Sequence, residues 1–501
     1  MPRATLQHSA RPPGSPAGAR LAAVSTGEHG GLPPDLFAAA VALLEELTAI
    51  SSPSGDAAGL ERMAARLAAA LAARGLEVEI RRGVAGAGEA GAGEGEADSG
   101  KGEPKVVAGK SGAGAGEPDA EATLAGGGRS LPVVVARTPD RRDRQATAAA
   151  RTHLLLIGHF DTVLPAAPPR RDGERLVATG AIDMKGGLAT LAGALDLLSR
   201  RGVAPPADLL VIAVPDEEVG GELSRAAVAR WGAQARALWV LEPGEPGGRP
   251  GAETLVGGRR GLFDWRLEAR GRSAHSGLHL ADGRSALLAA ARWCLAAAAP
   301  ADGAASGSGG GSEGGAGGDG RPSVNVGRLV AGDATFVGDL ARAHVLLGTE
   351  RQLNVVPDSA VAEGEARFST AAAGEEIARR LADLAATIGA DTGTCLAFTR
   401  GAVIPPVDPR GPQRSWCERA VALAAARGWR LEVEAERGGV SFPNFLPNPG
   451  RLPVLDGLGP IGGGMHTRDE FVDLSSLARR IVLLADLLQA DAAGLGREAD
   501  V

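Results

Sequence analysis

HLLLIGHFD (153–161), MKGGLATLAGALDLLSRRG (184–202), DLLVIAVPDEE (208–218), ELSRAAVARWG (222–232) and ARALWVLEPG (235–244) follow one another through the middle of the chain. The first, third and fifth carry short apolar runs of the kind that form buried strands, and the second and fourth have apolar residues at helical spacing. Strands alternating with helices predict an α/β domain whose mixed or parallel sheet is covered on both faces. In such sheets function gathers at the carboxyl ends of the strands. HFD, PDEE and LEPGE fall there.

Upstream, DLFAAAVALLEELTAI (35–50) and LERMAARLAAALAARG (60–75) read as amphipathic helices separated by the turn SSPSGD. LEVEIRR (76–82) and LPVVVART (131–138) read as paired strands around a Gly/Ala/Glu-rich insert at residues 83–128. Downstream, FDWRLEARG, SALLAAARWCLAAAA, SVNVGRLVAG, SAVAEGEARF, EEIARRLADLAATIG and TCLAFTRG spell β-α-β-β-α-β, a smaller unit set into the first. A second glycine-rich insert, 301–320, interrupts it. The chain then returns to helix (SWCERAVALAAARGW), strand (RLEVEAE) and a loop ending in GGGMHTRDEF. The organisation expected is a disordered tail over 1–32, a first domain from 33–258 and 403–501, and an inserted domain over 259–402.

The chain has 501 residues, 74 of them Gly, and 25 of those lie in the two inserts. At about 100–200 residues per domain this length predicts two or three domains and a substantial core. A net charge of −7, with no basic run longer than Arg pairs, argues against nucleic acid or an anionic membrane as the main partner. No apolar run reaches transmembrane length and the first 31 residues have no signal-peptide core, so a soluble, cytoplasmic protein is expected. Cys294, Cys395 and Cys417 match no metal or disulfide spacing. There are 49 Arg and four Lys, and Lys185 is the one lysine outside the first insert.

Five clusters carry the chemistry: GHFDTV (158–163), GAIDMKGG (180–187), PDEEVGG (215–221), LEPGE (241–245) and GGGMHTRDE (462–470). Each places His, Asp or Glu at or near a strand end, the donor set for Zn²⁺ or a similar cation. Asp161 lies two residues after His159, and a turn there would aim its carboxylate back at the imidazole, as metal-bound histidines require. Glu217 and Glu218 are adjacent, so one can coordinate while the other acts as a base only where the loop bends. Taken singly each residue has an ordinary explanation, Asp183 as a helix N-cap for example. Five such clusters in this order make those explanations jointly poor.

As an ordered set these motifs resemble the M20 family of di-zinc metallopeptidases and amidohydrolases, and PVLDGLGPIGGGMHTRDEF most resembles its glutamate carboxypeptidase (carboxypeptidase G2-like) branch. The similarity runs from about residue 35 to 490, the inserts excepted. It implies a zinc-exopeptidase catalytic domain with a lid and dimerisation domain, and two Zn²⁺ per chain, with Co²⁺ or Mn²⁺ as substitutes. His159 and Glu242 would then bind different ions, Asp183 would bridge both, and Glu218 and His466 would complete the two shells. The peptide bond after Asp183 would be cis. Asp161 would orient His159, and Glu217 would be the general base for attack of water on an amide.

Further from the metals, the resemblance assigns His275 in GRSAHSG (271–277), supplied by the partner of a homodimer, to the substrate carbonyl. Asn354 in NVVP and Arg367 in EARF would bind a substrate carboxylate. The loop GGVSFPN (438–444) departs from the family's GG-x-S-D-x-N, with Phe442 and Pro443 in place of a polar pair in a loop that faces the substrate. The expected activity is release of an amino acid, glutamate-like or otherwise, from a small N-acyl or short-peptide substrate with a free carboxylate. An acetylornithine or succinyl-diaminopimelate type of deacylase is the alternative. A catalytically silent metal-binding protein is a third, disfavoured by Glu217, since a pure binder needs no base beside its ligands.

Overall fold

A computed structural model of the chain describes residues 28–85, 129–139, 153–299, 322–343, 354–408, 410–412, 414–447 and 449–494. Nearly all of the first glycine-rich insert and all of the second lie outside these residues, as does 1–27. Within the segment read as a tail, Glu28–Gly31 form a 3-10 turn and Leu32 is buried in the main core.

The first sheet has six strands in the order Glu77–Ala85, Arg129–Arg137, Leu209–Val214, His153–His159, Ala235–Val240 and Val454–Leu455. The first two pair antiparallel from Glu77 opposite Arg137 to Ala85 opposite Arg129, so the first insert joins the strands of a hairpin. Arg129–Arg137 also runs antiparallel to Leu209–Val214, and the remaining pairs are parallel. His153–His159 is buried from Leu154 onward, as expected of a parallel strand covered on both faces.

Helices Pro34–Ala49, Ala57–Ala72, Lys185–Arg200 and Leu474–Ala492 share one apolar core with this sheet. The start of Lys185–Arg200 lies very close to the end of the Ala235–Val240 strand. A Cβ on Gly187 would stand 1.9 Å from the Leu241 carbonyl oxygen. Only glycine permits that approach, and it brings the Asp183 loop beside Glu242.

The second sheet is antiparallel, in the order Ser323–Gly332, Ser359–Phe368, Gly261–Arg270 and Cys395–Ile404. Helices Ala286–Ala298 and Ala371–Thr392 pack on it around a core of its own. There the Trp265 and Trp293 rings meet edge to face at 5.0 Å, and Trp293 Nε1 donates to the Leu381 carbonyl at 3.1 Å. The chain crosses between the two units on adjacent segments: Arg259 N–H donates to the Val407 carbonyl at 3.1 Å, and Val407 N–H to that of Arg259 at 2.9 Å. Asn444 Nδ2 donates to Pro405 O at 2.8 Å and Arg260 O at 3.2 Å, tying both crossings to the 438–444 loop.

Several elements go beyond those read from the sequence, among them the C-terminal helix Leu474–Ala492 and the short strands Arg170–Asp172, Arg175–Val177 and Phe471–Asp473. Helix Ala334–Ala343 lies between two strands of the second sheet, and its start is marked by Asp333, whose Oδ1 accepts from the N–H groups of Thr335 and Phe336. Strand Ala252–Val256 pairs parallel with Arg430–Glu434, and its five residues are too few to show a period. Among the described residues no helix is long and apolar enough to cross a membrane.

The close approach at Gly187 sets a stability test. Gly187→Ala forces the helix start away from Leu241 and is expected to cost about 1–3 kcal/mol of unfolding free energy, read from the denaturant midpoint.

Candidate metal centre

His159 ends the central strand, Glu217 and Glu218 follow Leu209–Val214, and Glu242 follows Ala235–Val240. Three parallel neighbours thus deliver their side chains to one edge of the sheet. Asp183 comes from the turn before helix Lys185–Arg200, and its peptide bond to Met184 is cis. Met184 occupies the helix N-cap and makes no side-chain cap, so the ordinary capping role open to Asp183 is not the one it takes. His466 comes from the loop between Gly462–Gly463 and Phe471–Asp473, with φ of 63°. A left-handed backbone at a residue other than glycine costs about 1–3 kcal/mol and persists only where surrounding contacts impose it.

The five expected metal ligands converge. His159 Nε2 is 3.1 Å from Asp183 Oδ1 and 3.8 Å from Glu242 Oε1. His466 Nε2 is 3.3 Å from Asp183 Oδ2 and 3.3 Å from Glu218 Oε2. The two oxygens of Asp183 therefore face two different groups of donors. His159, Asp183 and Glu242 form one, and Asp183, Glu218 and His466 the other, each with ligand atoms within 4.8 Å of one another; His159 and Glu242, expected on different ions, thus fall in the same group, because the parallel strands that carry them are neighbours.

Asp161 does more than orient a histidine. Its Oδ1 is 3.3 Å from His159 Nδ1 and accepts from Glu217 N–H at 3.2 Å, while Oδ2 accepts from Glu218 N–H at 3.2 Å and from Ser54 Oγ at 2.7 Å. The Asp161 backbone carbonyl lies 3.1 Å from the same Nδ1. Adjacent glutamates point apart in extended chain, and this carboxylate helps hold the bend that separates them. Glu217–Val219 form a 3-10 turn that ends on Gly220, with φ of 91°.

The electrostatics of the metal-free site call for a cation. Burial pushes the carboxyl groups of Glu217 and Glu218 up to about 7 and that of Glu242 up to about 8. Hydrogen bonding to Asp183 raises the His466 imidazole to about 9. Asp183 is held low despite its burial by hydrogen bonds to His159 and His466. His159 is raised, also against burial, by Asp161 and Asp183. Carboxylates and imidazoles in these two groupings fit a pair of divalent cations of the Zn²⁺ kind.

An open cavity of about 830 Å³ adjoins the cluster, reached by Asp183, Glu217, Glu242, Arg259, Ser441 and His466 among others. Ser441 Oγ donates to Glu242 Oε1 at 3.2 Å. Phe442, expected near substrate, is instead wholly buried in the main core, its ring 6.4 Å from that of His159. Ser441 and the glycine before Val440 present this loop to the cavity.

None of the three expected substrate residues lines the cavity beside the cluster, and Arg367 stands apart from the other two. His275 is exposed beyond the Gly261–Arg270 strand, bridged to Val355 next to Asn354. Arg367 lies at the other end of the ten-residue Ser359–Phe368 strand, roughly 30 Å long at about 3.3 Å per residue. Its guanidinium bonds Glu365 and the Gly438 carbonyl. Within one chain, Asn354 and Arg367 do not meet.

Four contributors were not singled out from the sequence: Ser54, Ser441, Arg259 and Glu470. Ser441 and Glu470 lay within quoted clusters but drew no role. Ser54 sat in an ordinary turn and Arg259 was one arginine among 49. Arg259 is buried, with Nε 2.5 Å from Asp456 Oδ2 and Nη1 donating to Gly439 O at 2.9 Å.

Residues 155–490 match peptidase family M20/M25/M40, and the chain belongs to that family. It is accordingly an M20-family peptidase or amidohydrolase. Carboxypeptidase G2 of a Pseudomonas species is 27% identical over 349 residues, covering 68% of this chain and 74% of that protein. A succinyl-diaminopimelate desuccinylase of Rhodospirillum centenum is 27% identical over 338 residues, covering 66% and 77%. Among solved structures, aminopeptidase PepT of Bacillus cereus superposes with a TM-score of 0.62 at 19% identity, over 91% of this chain and 99% of that one. An M20 family metallo-carboxypeptidase of Sulfolobus solfataricus gives 0.55 at 14% identity, over 91% and 99%. A Bacillus subtilis protein described as a dinuclear metal-binding peptidase of the family gives 0.57 at 13%, over 92% and 99%.

The raised carboxyl groups make metal uptake proton-linked. At pH 7 Glu242 and His466 are largely protonated and Glu217 and Glu218 about half so in the metal-free protein, and a cation must displace the protons on its ligands. Titration calorimetry with Zn²⁺ in buffers of differing ionisation enthalpy is expected to show net proton release at pH 7 that shrinks towards pH 9.

Proposed function

We propose that the protein hydrolyses an amide bond to release an amino acid from a small N-acyl or short-peptide substrate, with Glu217 as general base. The observation that carries this is the division of the two Asp183 oxygens between two donor groups, with Glu217 lining the cavity beside them. Two divalent cations, with Asp183 shared between them, would supply Lewis acidity for the carbonyl and a lowered pKa for water. His159 and Glu242 would serve one, Glu218 and His466 the other.

The chain's own residues do the rest. Asp161 fixes the imidazole of His159 and, through the two backbone N–H groups it accepts, the direction in which Glu217 points. Glu217 takes a proton from the attacking water and delivers it to the leaving nitrogen. Burial keeps its proton affinity near neutrality, where a group can both accept and return a proton. Glu217→Gln keeps shape and removes the base. A fall in kcat of about 10²–10⁴-fold with two cations still bound is expected. Unchanged turnover of a panel of N-acyl amino acids would remove the assignment.

Release of a glutamate-like residue is favoured by the similarity to carboxypeptidase G2, and a desuccinylase type of activity by the second relative. A panel of acyl-glutamates, acetylornithine, succinyl-diaminopimelate and dipeptides separates them. The reading includes a homodimer in the cytoplasm, with the inserted domain at 259–402 as lid and His275 reaching the partner's cavity. Its support is that His275 is exposed on the second unit and is not among the residues lining the cavity of its own chain. Co-expression of Glu217→Gln and His275→Ala chains is then expected to restore about a quarter of wild-type activity. Half the dimers would be mixed, each with one intact site of two. No recovery would place His275 in its own chain's site.

A further inference from the structure

We infer that Glu470 is a positioning residue for Asp183, setting the bridging carboxylate in place from the loop that also carries His466. Glu470 is 3% exposed, and its carboxylate accepts three backbone hydrogen bonds from the turn before helix Lys185–Arg200. Gly180 N–H donates to Oε2 at 2.8 Å, and Ile182 and Asp183 N–H donate to Oε1 at 3.0 and 3.1 Å. The Glu470 backbone takes part as well, its carbonyl accepting from Ala178 N–H at 3.0 Å. One side chain thereby holds the main chain of residues 180–183, including the peptide N–H of the ligand itself.

A buried lysine lies beside the clamp. Lys185, two residues beyond Asp183, is wholly buried in the field of Glu470 and Asp161, and burial lowers its amine to about 7. Its Nζ donates to the Ile50 carbonyl at 2.8 Å. That carbonyl opens the segment Ile50–Ser54, which braces the other ligand loop: Ser52 Oγ donates to Phe160 O at 2.7 Å and Ser54 Oγ to Asp161. Glu470 and Lys185 thus connect the Asp183 turn with the His466 loop on one side and the His159 loop on the other. A buried carboxyl group is costly to place, and the three backbone hydrogen bonds offset part of that cost here, burial still raising Glu470 above its ordinary value. Ligands from distant parts of the sequence have to stand a few ångströms apart, and the turn carrying Asp183 has no sheet ladder to fix it.

The inference rests on the two-cation reading of the site, so the test separates the two. Metal-free wild type and Glu470→Gln are titrated with Co²⁺, followed by visible absorption and by bound metal per chain. Wild type is expected to take up two ions. Glu470→Gln keeps the shape but turns an NH₂ towards backbone donors, and is expected to bind Co²⁺ about 10–100-fold more weakly, with an altered spectrum. At saturating Co²⁺ its kcat falls more than its KM changes. Two ions bound by both proteins with equal affinity and the same spectrum would overturn the inference and leave the metal reading standing. No uptake by wild type would overturn both. Should the variant not fold, amide hydrogen exchange in metal-free wild type decides: protection of the Ile182 and Asp183 amides is expected, and exchange at the rate of open loop would overturn the clamp.

Discussion

Carboxylates gathered out of water at the end of a sheet are the constraint around which the rest of this structure is arranged. Asp183, Glu217, Glu218 and Glu242 lie together with Asp161 close behind them, and burial, with repulsion among the carboxylates, raises Glu217, Glu218 and Glu242 to neutrality or above. The two histidines beside them offset only part of this charge. The arrangement is costly as an apoprotein and favourable around cations, which is the electrostatic signature of a metal site rather than of a stabilising network.

Holding that arrangement takes a supporting layer. Asp161 shapes the Glu217–Glu218 bend, Ser54 and Ser52 brace the loop after His159, and Ser441 bonds Glu242. Glu470 holds the Asp183 turn. Ser441 belongs to the loop that also meets the crossings between the two units through Asn444, and that accepts the lid-side guanidinium of Arg367 at Gly438. One loop therefore touches Glu242, both connecting segments and the second sheet.

Much of the fold was legible because its signals are local. Apolar runs alternating with amphipathic helices give the first sheet, and 153–161, 208–218 and 235–244 all hold their expected strands. The helices Ala334–Ala343 and Leu474–Ala492 and the strand Ala252–Val256 go beyond the sequence reading, the strand being too short for a period. The cluster of His, Asp and Glu was legible as a set, because such residues at successive strand ends form a pattern no single position has. The supporting residues were not. A serine in a turn and an arginine among many look alike in sequence whether or not they touch a ligand.

By itself, then, the order of residues determined the element types, the α/β class and the group of side chains able to hold cations, since each follows from neighbours a few positions apart. The tertiary structure alone decided how the two Asp183 oxygens are shared, which way Glu217 and Glu218 turn, that Phe442 enters the core while Ser441 meets Glu242, and that Asn354 and Arg367 lie at opposite ends of one strand. Those are relations between residues far apart in the chain, as between Asp183 and His466. They depend on strand order and on the close packing of one turn against another, which no local pattern encodes.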